Sequence, residues 1–379
     1  MIRNIDSGRL VHLLEAVFGF RQDERALTIF VDLPGGRVKD TAAWMDRRRL
    51  ATEWYLMLHD QWHNIPFTAL AFCAYPNVGT NNGDLPDTAL LVERVDRSGM
   101  TLSTVETPLA LILSDSSVVL APTELSATAP LKVLAKKHGF RGATMPGFSR
   151  AMIPALGLDY QEVNRRVVEF QERMTRASGA DLLLESGGAS YALHLDLRFR
   201  TAHASGGVIR EPGSVANLPS GEAYIVPYEG EKAGEPSRTK GILPVQLGKD
   251  VVLFRIEGNR AVGVESTGPA SDRQRELLTS EPAYGNIAEL GIGVLGEWGV
   301  TAVGSTLLDE KLGVHIAFGR SEHFGGMVGP SDFKSPDRVI HIDWVYVPSV
   351  QPDVAVKSVS FTYDQMAEEQ ILSDGKFIV

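Results

Sequence analysis

The segment Val339-Ile340-His341-Ile342-Asp343-Trp344-Val345 alternates in the manner of a strand, sending His341 and Asp343 to one face and Ile340, Ile342 and Trp344 to the other. An imidazole nitrogen and a carboxylate oxygen two positions apart on one face converge on one point, and that donor pair suits Zn, Mn, Co or Fe. The same spacing also serves a buried His to Asp hydrogen bond. A second strand-like stretch, GVHIAFG (313–319), carries His315 between apolar neighbours, the usual setting of a core histidine with satisfied ring nitrogens. Upstream, Glu222 lies in LPSGEAYI (218–225) and Glu289 in NIAELG (286–291), each flanked by apolar residues. A carboxylate buried among Ile, Ala, Leu and Tyr is costly unless a cation or donor compensates it, so each either has such a partner or sits at the surface.

Three further motifs carry less weight. Gly291-Ile292-Gly293-Val294-Leu295-Gly296 matches the dinucleotide fingerprint formally, but no amphipathic helix follows and Gly299 and Gly304 break the region. His59 and His63 in HDQWH have one-turn helical spacing, yet the glutamate of the metalloprotease helix motif is missing, and the pair reads as part of a helix face. Ser331-Asp332-Phe333-Lys334 fits a serine-lysine pattern without the strand-to-helix turn that would expose a nucleophile.

The elements that must position these residues fall into two textures. The first half alternates strand-like apolar runs, Leu27 to Leu33, Thr68 to Tyr75 and Leu109 to Leu113, with segments of helical spacing, Thr41 to Asp60 and Tyr160 to Ser178. That alternation predicts an α/β layer over residues 1–180. From Asp181 the pattern changes to short strands punctuated by Gly206-Gly207, Glu211-Pro212-Gly213 and Leu218-Pro219-Ser220-Gly221, which predicts a mixed α+β domain over residues 181–379, and the candidate ligands it carries make it the expected metal-binding domain. Tyr228 to Lys240 is charged and glycine-bearing, and reads as an exposed loop.

A chain of 379 residues is long enough for a large core and for two domains. Thirty-seven Lys and Arg against 47 Asp and Glu, a net charge of -10 with no basic run, argue against nucleic acid as a partner. The single cysteine, Cys73, excludes an intrachain disulfide and a cysteine-based zinc cluster, and its apolar surroundings predict a buried thiol. No apolar segment approaches the ~20 residues needed to span a bilayer and the N-terminus lacks a signal core, so a soluble cytoplasmic protein is expected.

Four blocks, LPSGEAYIVP (218–227), NIAELGIG (286–293), LDEKLGVHIAFG (308–319) and HID (341–343), resemble in order and approximate spacing the thermophilic metalloprotease family of aminopeptidases T and S. The match covers roughly Leu218 to Asp343, and is diffuse in the N-terminal half. The resemblance implies that Glu222, Glu289, His315, His341 and Asp343 bind two divalent ions, Zn, Mn or Co, which activate water to cleave a short peptide or small amide, in a protein that is often a homodimer. Five carboxylate-rich ligands are compatible with two ions ~4 Å apart that share a carboxylate and a hydroxide. Glu289 follows the turn-prone Tyr284-Gly285-Asn286 and is the expected shared or base-like carboxylate.

The family also places a tyrosine ligand seven residues beyond its first histidine, where this chain has Glu322 followed by His323. Glu322 is expected to replace the phenol as a ligand, or His323 to act as proton donor, unless both are solvated loop residues. Dihydroxypyridine dioxygenase resembles these peptidases in its C-terminal architecture and implies a different chemistry, ring cleavage at one Fe(II), for which His315, His341 and Asp343 would form a facial triad. Its histidine at the position of Glu289, and its lack of an acid at the position of Glu222, set this chain with the hydrolases. A non-catalytic metal-binding protein on the same fold is the third reading.

Overall fold

Asp6 opens the first helix by accepting the Arg9 amide at 2.8 Å, and Gly19, at φ 57°, closes it. The computed structural model describes residues 5–36, 38–95, 101–363 and 367–379. Two compact units separate: Met1–Asn164 with Ser205–Ser220, and Arg165–Ala204 with Gly221–Val379. The boundary drawn from sequence near residue 180 lies at the start of a strand of the second unit, and Ser205–Ser220 goes with the first.

The first unit is an α/β layer. After helix α1 (Ser7–Phe18) come β1 (Ala26–Leu33), α2 (Ala42–Asp60), β2 (Ala69–Pro76), β3 (Thr88–Val95), β4 (Thr101–Pro108), α3 (Leu109–Asp115), β5 (Ser116–Ala121), α4 (Thr128–His138), β6 (Arg141–Thr144) and the short α5 (Ile153–Leu156). Its seven-stranded sheet runs β10-β6-β5-β1-β2-β3-β4, where β10 is Val215–Asn217. Pairing is parallel from β10 to β2 and antiparallel at β3 and β4. Residues 26–32 of β1 are buried without interruption, the continuous apolar run of a central parallel strand covered on both faces.

Leu109 to Leu113, expected as a strand, is instead the helix α3. Leu109, Ile112 and Leu113 are buried while Leu111 is exposed, the i, i+3, i+4 pattern of one helix face, and five apolar residues in a row satisfy either period until an exposed neighbour discriminates them. His59 lies in the last turn of α2 whereas His63 falls in a separate 3₁₀ turn, Trp62–Asn64, so the two histidines do not share a helix face.

Helix α6 (Tyr160–Arg176) begins in the first unit and continues into the second. There follow β7 (Gly179–Ser186), β8 (Ala189–Asp196), β9 (His203–Ser205), β11 (Glu222–Ile225), β12 (Lys240–Leu247), β13 (Asp250–Glu257), β14 (Arg260–Val264), α7 (Pro269–Ser280), β15 (Ile287–Gly293), α8 (Thr306–Asp309), β16 (Val314–Gly319), β17 (His341–Val345), β18 (Ala355–Thr362), β19 (Glu368–Ser373) and β20 (Lys376–Phe377). Gly187 and Gly188, at φ 57° and 78°, supply the two left-handed positions of the tight β7–β8 hairpin. The strands form an eight-stranded sheet, β14-β13-β12-β8-β7-β18-β19-β20, and a five-stranded sheet, β17-β16-β15-β11-β9. Gly291 and Gly293 lie inside β15, which rules out a phosphate-cradling turn there. Among the described residues, no helix is long and apolar enough to cross a membrane.

Candidate metal centre

Strand register brings the candidate ligands onto one face of the five-stranded sheet. Asp343 pairs with Ala317, which pairs with Glu289, so one row across β17, β16 and β15 reads Asp343, Ala317, Glu289. The next row reads Val345, His315, Gly291, Tyr224, and Glu222 lies one step along β11, opposite Gly293. His341 stands opposite Gly319. Because side chains alternate, His341, Asp343, His315, Glu289, Glu222 and Tyr224 all rise from the same face. The register shift between Ile287 and Glu289 sets the phase of β15 against β16. Between the ligands stand Ala317, Gly319, Gly291 and Gly293, and their small size opens the space. A Cβ at Gly291 would overlap the His315 ring, and one at Gly293 would overlap the backbone of Glu310 and Lys311. The other face carries Ile316, Phe318 and Trp344, with Phe318 packed edge-on to Phe254 at 5.1 Å.

Two groups of ligand atoms result, each within 4.8 Å: Glu222, Glu289 and His315, and Glu289, His341 and Asp343. Glu289 belongs to both. His315 Nε2 lies 3.3 Å from Glu289 Oε1 and 3.5 Å from Glu222 Oε2, while His341 Nε2 lies 3.2 Å from Glu289 Oε2 and 3.5 Å from Asp343 Oδ1. The other nitrogen of each ring is turned to a backbone carbonyl, His341 Nδ1 to Arg320 at 2.8 Å and His315 Nδ1 to Gly313 at 3.3 Å. Such carbonyls set ring orientation and leave Nε2 for the cluster, as the outer partners of metal-binding histidines do.

Burial works against charge on Glu289, but hydrogen bonds and charge from His315 and His341 outweigh it and hold this carboxyl well below the usual range. Asp343 is likewise held down against burial, chiefly by His341. Burial disfavours a charged His315, yet Glu289, Glu222 and Asp343 push it up to about 9; His341 rises well above its ordinary value for the same reason, with Asp343 the main cause. These carboxylates therefore attract a cation, a proton in the metal-free protein or a divalent ion in its place. The fit to a metal rests on the mixed imidazole and carboxylate donors, on Nε2 facing inward from both rings, and on a buried Glu222 Oε2 with no hydrogen-bond partner.

Glu322 and His323 part company. The Glu322 carboxylate is half exposed and pairs with Arg320 at 2.7 Å, outside both ligand groups. His323 packs tilted against Phe324 and stands edge-on to His341 with ring centroids 5.3 Å apart, at the rim of the cluster. Desolvation, then the neighbouring charges of His341 and Arg320, keep His323 below the ordinary histidine range.

Three residues beside the cluster are absent from the candidates read in the sequence. Lys311 is 1% exposed; its ammonium lies 2.5 Å from Glu222 Oε1 and also pairs with Glu310. Burial opposes that charge, and the two carboxylates more than restore it. Glu310 itself is pushed up to about 8 by burial, with Lys311 acting in the opposite direction. Tyr224 shares the ligand face, stacks on His203 at 5.2 Å, and has its phenol raised by burial and by the charge of Glu289 and Glu222. Position alone could have flagged Tyr224, two residues from Glu222 on a strand.

No family profile and no curated protein matches the chain by sequence. Its fold is similar to that of 2,5-dihydroxypyridine dioxygenase from Pseudomonas putida KT2440, with a TM-score of 0.60, 15% identity and 99% of each chain covered. It is also similar to wild-type AmpT, an aminopeptidase T, from Thermus thermophilus, with a TM-score of 0.53, 13% identity and 98% of each chain covered. Likeness at these identities is a likeness of fold, and the chemistry is argued from the site.

Proposed function

We propose that this chain is a metal-dependent hydrolase that cleaves a short peptide or a small amide. The observation that carries the reading is the convergence of Glu222, Glu289, His315, His341 and Asp343 on one sheet face, with Glu289 common to both ligand groups. A divalent ion bound there, Zn, Mn or Co, supplies Lewis-acid polarisation of a carbonyl and a water acidic enough to be deprotonated near neutrality. Glu289, held ionised between two histidines, is the carboxylate that this reading gives the shared ligand role. Arg320 and Gly313 carbonyls hold the two rings in the orientation the cluster needs. Tyr224, whose hydroxyl has no hydrogen-bond partner among the described residues, takes the donor role toward the oxyanion that Glu322 cannot fill, since an ionised carboxylate has no proton to donate. Phe324, tilted 4.8 Å from Tyr224, and His323 provide an aromatic rim for the substrate.

A second reading, an Fe(II) ring-cleaving dioxygenase, would use His315, His341 and Asp343, two imidazoles and one carboxylate carried on the same sheet face. Against it stands a carboxylate where the resembling dioxygenase has a histidine. The protein reconstituted separately with Zn, Mn, Co and Fe(II), assayed on aminoacyl anilides and small aromatic amides and for oxygen uptake with dihydroxypyridine, separates the two. Hydrolysis restored by Zn, Mn or Co is the expected result. Oxygen uptake with Fe(II) alone would replace the hydrolase reading by the second, and inactivity in both assays with every metal would remove both.

A further inference from the structure

We infer that the centre holds one divalent ion, on Glu289, His341 and Asp343, and that the Lys311 ammonium occupies the place of a second cation at Glu222. The inference rests on the reading of the cluster as a metal centre and concerns how many ions that cluster accepts. Of the two ligand groups, only the one containing Glu222 has a built-in cation: Lys311 Nζ sits 2.5 Å from Glu222 Oε1 and pairs on its other side with Glu310. A divalent ion on Glu222 would share a carboxylate with an ammonium in a site closed to water, where two like charges repel most strongly.

The lysine is not free to withdraw. It belongs to the 3₁₀ turn Glu310–Leu312, whose backbone lies so close to β15 that the strand has glycine at position 293; a Cβ there would overlap it. Leu307, Leu308 and Leu312 on either side are buried, so moving Lys311 outward would unpack the turn. Charge gives the same answer. Glu222, Glu289 and Asp343 bring three carboxylates and Lys311 offsets one of them, so a single divalent ion neutralises what is left and a second ion turns a buried site net positive. His315 then serves as the hydrogen-bond partner that orients Glu289 Oε1, 3.3 Å away.

The experiment is a metal count. Metal-free protein is titrated with Zn(II), Mn(II) or Co(II), freed of excess by gel filtration, and analysed for bound metal per chain, alongside Lys311→Ala and Glu222→Gln variants. One ion in the parent, two in folded Lys311→Ala and one in Glu222→Gln are expected. Two ions in the parent overturn the inference while leaving the metal centre standing, and none in the parent overturns both. A folded Lys311→Ala variant that still takes one ion shows that the ammonium is not what excludes the second. Should that variant fail to fold, the parent and Glu222→Gln decide: loss of the ion from Glu222→Gln makes Glu222 a ligand and overturns the assignment.

Discussion

His341 Nε2 lies 3.2 Å from Glu289 Oε2, the carboxylate oxygen that His315, 3.3 Å from Oε1, leaves free. One side chain on β15 thus orders imidazoles from β16 and β17, and its two oxygens face two different partners. Glu289→Gln is isosteric but replaces one acceptor by a donor and removes the charge. It is expected to weaken metal binding by more than the ~10–100-fold typical of losing an outer partner of a metal ligand, with the fold retained. Competition against a coloured chelator measures it, and parent-like affinity would deny Glu289 its place as a ligand.

Histidines provide an internal comparison. His341→Ala and Asp343→Ala should each abolish stoichiometric metal, whereas His59→Ala and His63→Ala should leave it intact, because only the first pair sits within a converging group. Elemental analysis of the four variants decides. Full metal in both His341→Ala and Asp343→Ala would dissolve the site.

Gly291 makes room for the His315 ring, since a Cβ there would overlap it. Gly291→Ala is therefore expected to destabilise the protein by roughly 1–3 kcal/mol, the usual cost of forcing an added carbon into a packed interior. Displacement of the ring should also disturb Glu289. Urea unfolding of the metal-free variant reads the first effect and chelator competition the second; a variant as stable as the parent would mean that the ring has slack the structure does not show.

Much of this site is legible in the sequence. Alternation around His341 and Asp343 needs only the two-residue period of a strand, whereas the apolar neighbours of Glu222 and Glu289 leave a compensated buried carboxylate and surface exposure both open. What could not be read was register. The row Asp343, Ala317, Glu289 depends on a shift between Ile287 and Glu289, which no local pattern reveals. Lys311 was hidden because Asp309-Glu310-Lys311 looks like a solvated charged turn, and its burial comes from Gly293 on a different strand. Glu322 was expected near the metal by its distance from His315 along the chain, but the 3₁₀ turn Glu322–Phe324 gives its carboxylate to Arg320 and brings His323 and Phe324 to the rim instead. In the first unit, the α/β layer was legible from its alternation of elements, while α3 was not, five apolar residues being too short to show a period.

The histidines also make the metal-free protein sensitive to alkali. His315 has its folded-state value raised from 6.5 to about 9, with burial opposing and Glu289 leading the groups that raise it. A raised value means that the folded state binds the proton more tightly, so this stabilisation is fully present below about pH 6.5 and is lost as pH rises through about 9. The thermal midpoint of metal-free protein should fall across that window, and the fall should shrink when metal has replaced the proton at His341. A midpoint that rose from pH 6.5 to 9 without metal would contradict the charge assignment.

A metal ion among these side chains is what every role above depends on. Anomalous diffraction from crystals of the Zn- or Co-loaded protein, recorded on both sides of the metal's absorption edge, tests it most directly. An edge-dependent peak bounded by Glu289, His341 and Asp343 is expected; such a peak elsewhere in the chain, with none among these three side chains, would overturn the metal centre.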